Sequence, residues 1–100
     1  MTYYSVLEVT PTNEDWIPDY IEPANELVAK HGGQYLARTA SHERLEGNGE
    51  DAALRIIIEW PSKSAAQAFM NDPGYVPHRE ARTAGSISHH FLIEGKDDLA

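Results

Sequence analysis

The spacing of apolar residues along this chain of 100 residues predicts an α+β domain in the order strand, helix, strand, strand, helix, strand. Three observations carry that reading. Short runs rich in β-branched and aromatic residues lie at Tyr3–Val9, from Tyr35, at Ala53–Trp60 and at Ser86–Glu94, each closed by proline, glycine or a polar turn. Between the first and second runs, Trp16, Ile17, Tyr20, Ile21, Ala24, Leu27 and Val28 recur every three or four residues, the mark of one helical face. Between the third and fourth, Ala65, Ala66, Phe69 and Met70 repeat the pattern. Joined by short turns, these elements make the split βαβ, ferredoxin-like plan (βαββαβ), a four-stranded antiparallel sheet with its helices on one face.

Each element has local reasons. The first strand is apolar on both parities, with Tyr3, Leu7 and Val9 on one face and Tyr4 and Val6 on the other. Thr12 or Asn13 is placed to cap the first helix, with Glu14 and Asp15 in its first turn. Pro18 and Pro23 predict a short opening turn and then a restart or kink near Pro23, since proline is at ease only in a first turn. The helix ends at His31-Gly32-Gly33, where glycine adopts the positive φ that closes many helices. In the strand that follows, strict alternation puts Tyr35, Ala37 and Thr39 on one face and Leu36, Arg38 and Ala40 on the other. Gly47–Asp51 is a solvated turn. Ser62 caps the helix that starts at Lys63, Asp72-Pro73-Gly74 breaks it, and Tyr75–Ala84 resumes helical composition. The reading is one domain over 1–95, with a polar, frayed tail over 96–100.

Composition narrows the function classes. Sixteen acids against eight bases give a net charge of −8, which disfavours nucleic acid and anionic membranes, both of which need clustered Lys and Arg. With no cysteine there are no disulfides or thiolate metal sites. No apolar run reaches the roughly 20 residues of a membrane span, so the expectation is a soluble, cytoplasmic protein. Ile56-Ile57-Ile58 and Phe91-Leu92-Ile93 put apolar side chains on both sheet faces, yet the helices cover only one. Burying roughly 600 Å² of such surface at about 25 cal/mol per Å² is a gross gain near 15 kcal/mol before association entropy. A homodimer with the open sheet faces packed together is therefore expected.

The segments His31-Gly32-Gly33-Gln34-Tyr35-Leu36-Ala37-Arg38, Leu45-Glu46-Gly47, Ile58-Glu59-Trp60-Pro61-Ser62 with Ala65-Ala66, Asp72-Pro73-Gly74-Tyr75 with Arg82, and Ile93-Glu94-Gly95 span nearly the whole chain. Together they resemble the domain of unknown function 1330 family, departing from it at Trp60 and at Val76-Pro77-His78. The resemblance implies a dimeric α/β-barrel and no established reaction. Wider relatives of that barrel include cofactor-independent monooxygenases, small isomerases and haem-degrading enzymes, all using a pocket between sheet and helices.

Arg38 is the leading candidate for a ligand anchor, because a guanidinium in mid-strand must find a partner or reach water. The bland alternative pairs it with Glu46, Glu59 or an acid on the helices. Tyr20, Tyr75, Arg79 and Arg82 complete the expected lining of a cationic, aromatic-edged pocket for a small acidic or aromatic compound. His78, one helical turn from Arg82, and His89, on the parity of Ile87, Phe91 and Ile93, are the candidate proton carriers. His89 and His90 are adjacent in a strand and point to opposite faces, so they cannot chelate one ion, and no metal or other cofactor is expected. Two function classes follow: a small-molecule enzyme or sensor using this pocket, or a non-catalytic dimer that binds another protein through its helical face.

Overall fold

The computed structural model describes all 100 residues. The elements are β1 (Tyr3–Pro11), α1 (Ile17–Lys30), β2 (Gln34–Thr39), β3 (Leu54–Trp60), α2 (Lys63–Met70), α3 (Val76–Ala84) and β4 (Ser86–Glu94). The strands form one antiparallel sheet in the order β2-β3-β1-β4, the ferredoxin-like arrangement. Leu7 stands opposite Ile56 and His90, and Val6 opposite Ile57 and Phe91, which fixes what each face carries. Ser5, Leu7, Val9, Ile56, Ile58 and Trp60 point to the helices and are buried there with Ala24, Val28, Ala66, Phe69 and Tyr75. Ile57 and Phe91 point the other way and are 39% and 68% exposed.

Three local expectations change. Helix α1 runs unbroken through Pro23, so no restart occurs there. Its N-cap is Trp16, without a side-chain cap; Asn13 instead accepts the Asp15 amide at 3.2 Å in the preceding turn. Pro18 falls in the first helical turn, where a missing N–H leaves nothing unsatisfied. In β2 the alternation slips. The register shifts between Tyr35 and Ala37, so that Tyr35 opposes Ile58 and Arg38 opposes Ile56, both on the helix-facing side. One extra residue in the strand makes this bulge, and it puts Tyr35 and Arg38 on the same face rather than on opposite ones.

The turn after α1 fits its two glycines. Gly32 has φ of +79°, and the Gly33 amide donates to the Val28 carbonyl at 2.8 Å. A Cβ on Gly33 would lie 2.6 Å from the Trp60 ring, so only glycine lets the turn sit against β3. Ser62 caps α2 as expected, accepting the Ala65 amide at 3.1 Å. Asp72 then ties the α2–α3 turn to the end of α1. Its carboxylate accepts from the Gly74 amide at 2.8 Å and lies 2.7 Å from His31 Nε2 and 3.1 Å from Lys30 Nζ. The hydrogen bond from His31, then those from Gly74 and Lys30, hold the Asp72 carboxyl well below the usual range.

Candidate functional site

Between the helix-facing side of the sheet and α1 lies a cavity of about 330 Å³, within the range of small-molecule sites. Its floor is Leu7, Val9, Ile56, Ile58 and His90 from the strands, and its walls include Trp16, Ile17, Tyr20 and Ile21 of the α1 region, Phe69 and Tyr75. From β4, Ser86, Ser88, His90 and Leu92 face the helices, while Ile87, Phe91 and Ile93 face outward, and His90 is the β4 residue that lines the cavity. Aromatic rings supply the rigidity. Tyr75 stacks on Phe69 with ring centroids 4.1 Å apart, Phe69 lies 5.2 Å from Trp60, and Trp16 meets Tyr20 edge-on at 5.3 Å.

At one end of this cavity stands Arg82, from α3, only 5% exposed. Its Nη1 donates to Tyr75 Oη at 3.0 Å and to Tyr20 Oη at 3.2 Å, and the two hydroxyls are 2.6 Å apart. No carboxylate pairs with it, and its Nε is enclosed without a partner. Tyr75 and Arg82 are seven residues apart, two turns of helix, so both reach the same side of α3. Burial raises the Tyr75 hydroxyl far above its ordinary value, and nearby Tyr20 raises it further, so it stays protonated beside the cation. The arrangement is a fixed positive charge with hydroxyls as its neighbours, in apolar surroundings.

A second polar group lines the same cavity. His90 Nε2 is 2.8 Å from Ser5 Oγ, which also accepts a 2.8 Å hydrogen bond from Trp60 Nε1. Burial, and then the charge of Arg82, pushes the His90 ring down to about 4, so it is neutral at physiological pH.

Of the residues singled out by sequence, Tyr20, Tyr75 and Arg82 converge here, and Arg38 sits at the rim. Arg38 is exposed; it donates to Asn25 Oδ1 at 2.7 Å and lies over the Tyr35 ring at 3.9 Å. Neither Glu46 nor Glu59 pairs with it, because Glu59 points to the other sheet face, opposite Tyr4. Arg79 turns away from the cavity and donates to the Met70 carbonyl. His78 does not line the cavity, and His89 is exposed on the open sheet face beside Glu8 and Phe91. The histidine inside is His90. His89 shares its parity with Ile87, Phe91 and Ile93, and in the structure that set faces outward. Ser5 and Asn25 were also not singled out, and only the placement of their partners brings them to notice.

The chain is similar in structure to several solved proteins. One is a protein of unknown function from Rhodopseudomonas palustris, at TM-score 0.81 and 17% identity over 96% of this chain and 83% of that one. Another is a dimeric ferredoxin-like protein of unknown function from Jannaschia sp. CCS1, at TM-score 0.75 and 14% identity over 94% and 99% of the two chains. A variant of SnoaB, described as a cofactor-independent oxygenase from Streptomyces nogalater, matches at TM-score 0.64 and 23% identity over 98% and 96%. At these identities the likeness is one of fold. No curated protein matches the chain. Residues 2–96 match the family model described as Domain of unknown function (DUF1330), and the chain belongs to that family.

Proposed function

We propose that the cavity binds a small planar aromatic compound through an acidic oxygen (phenol, enol or carboxylate) seated at the Arg82–Tyr20–Tyr75 end. One observation carries the reading: a buried guanidinium with no counter-charge and an orphaned Nε beside an unfilled apolar cavity. Arginine cannot shed its proton, so it keeps the charge. Holding an ion in such a place costs several kcal/mol, which an anionic oxygen would offset. The aromatic walls suit a flat ring, and Arg38 at the mouth suits the approach of an anion. Ionised at Arg82, a phenol or enol is electron-rich at carbon, the form in which such compounds tautomerise or react with dioxygen. That fits the isomerase- or oxygenase-like class, with the oxygenase SnoaB sharing the fold. An unfilled interior favours this class over a protein-docking module.

The same reading takes the protein as a homodimer through its open sheet face. Ala37, Ile57, Val6 and Phe91 form one row across all four strands, with Ile93 and Tyr4 beside it, and a second copy is the simplest cover. A fold neighbour is described as dimeric.

The ligand site is tested by titrating 1-naphthol and 1-naphthoate into wild-type protein and Arg82→Met, followed by fluorescence and by melting temperature. Wild type is expected to bind and be stabilised, with bound 1-naphthol showing the naphtholate spectrum at pH 7, and Arg82→Met to do neither. Equal binding to both proteins, or binding to neither, overturns the reading.

A further inference from the structure

We propose that His90 selects among anions for this cavity: held as the Nδ1–H tautomer by Ser5 and Trp60, it donates a hydrogen bond to an uncharged oxygen of a ligand whose anionic oxygen sits at Arg82. This rests on the ligand reading above and adds the second point of recognition. The tautomer follows from donor counting. An indole nitrogen can only donate, so Ser5 Oγ accepts from Trp60 Nε1 at 2.8 Å. The Ser5 hydroxyl hydrogen is still to be placed, in a residue with no exposure. His90 Nε2, 2.8 Å away, is the one remaining partner of that hydroxyl. Ser5 therefore donates, Nε2 accepts, and the hydrogen of the neutral ring belongs to Nδ1. Burial and the neighbouring Arg82 charge both oppose a second proton on the ring. Nδ1 has no hydrogen-bond partner in the protein and is not enclosed, and the ring lines the cavity.

Two unlike donors thus serve one space. Arg82 supplies charge, and His90 supplies a neutral N–H of fixed direction. A ligand with a single oxygen uses only the first. A ligand with an ionised hydroxyl and a nearby carbonyl, as in a hydroxyaryl ketone, uses both. A site built around a donor discriminates against molecules that leave the donor unpaired.

The first measurement is the nitrogen-15 spectrum of labelled histidine in the ligand-free protein at pH 7, where two-bond couplings distinguish the tautomers. His90 is expected as Nδ1–H; an Nε2–H tautomer or a doubly protonated ring overturns the proposal. The second compares dissociation constants of 1-naphthol and 1-hydroxy-2-acetonaphthone. Wild type is expected to prefer the hydroxyketone by about tenfold, the scale of one good hydrogen bond. In His90→Phe that preference should vanish, so that the two compounds bind with equal affinity. In Ser5→Ala, which leaves the ring in place, the tautomer signals should become mixed and the preference should shrink. An unchanged preference in His90→Phe overturns the role of His90 while leaving Arg82's intact. Failure of wild type to bind either compound removes both.

Discussion

Arg82 and Arg38 carry the same charge into different surroundings, and substitutions should separate them. Arg82 is buried without a carboxylate, so its charge burdens the protein, and its two hydroxyl partners lie 2.6 Å apart and so can hydrogen-bond each other without it. Arg82→Met fills much of the same volume without the charge. Its unfolding free energy without ligand is expected to equal or exceed that of wild type, by up to about 2 kcal/mol, as measured by urea unfolding. A large loss of stability would mean that the charge is compensated in a way the geometry does not reveal. Arg38 is exposed, bonded to Asn25 and laid over Tyr35. Arg38→Ala should cost no more than about 1 kcal/mol, measured by urea unfolding, the scale of an exposed cation–π contact. His90 adds a pH signature. Its folded value is about 4, below the unfolded value near 6.5, so the unfolded chain takes up a proton that the folded one refuses. Stability should fall as pH drops from about 6.5 to about 4, and the fall should be shallower in His90→Gln. Asp72, whose folded value is depressed, contributes its stability above the ordinary carboxylate range and loses it only at lower pH, outside that window.

Among the elements, the turn at Gly32-Gly33 and the bulge in β2 decide what the site receives. Gly33→Ala would drive a methyl to 2.6 Å from the Trp60 ring and 2.8 Å from Val28. Trp60 holds Ser5, and Ser5 holds His90, so the strain would reach the cavity. The variant should lose about 1–3 kcal/mol in chemical denaturation, and a neutral result would show that α1 can shift away from β3. The order and type of the elements were legible because periodicity and the breakers at Gly32-Gly33, Pro61-Ser62 and Gly85 agree with one another, while β1 runs on through Thr10-Pro11, paired with β4. The continuity of α1 through Pro23 was not legible, because packing of Ala24 and Val28 into the core outweighs one missing hydrogen bond. Nor was the bulge, which is a matter of pairing between strands and leaves no mark in the alternation of Tyr35 to Thr39. Tyr20, Tyr75 and Arg82 were expected in the pocket, although helical spacing pairs Arg82 with His78 and Tyr75 with Arg79, and Tyr20 lies on a separate helix. His90 was not, since parity tells which residues share a face and not which face turns inward.

For the whole molecule, the open side of the sheet sets the expected assembly. The central row Ala37–Ile57–Val6–Phe91 is apolar from edge to edge. One flank carries the Glu8–Arg55 ion pair, with His89 opposite Glu8, so on that flank the charges are matched within the protomer. An apolar centre with a polar rim is the ordinary anatomy of a protein interface, and a two-fold axis through the row would lay like against like. Wild type is expected to sediment as a dimer at micromolar concentration. Phe91 is the residue to change, because at 68% exposure its ring supports little of the protomer's own core. Phe91→Asp puts one carboxylate per copy into the apolar row, and burying it unpaired would cost more than the interface can return. The variant should sediment as a monomer with a far-ultraviolet spectrum like that of wild type. A wild-type monomer, or a Phe91→Asp dimer as tight as wild type, would refute the face-to-face assembly. The cavity lies on the opposite side of the sheet, so a monomeric Phe91→Asp that still binds 1-naphthol would show that each protomer holds a complete ligand site.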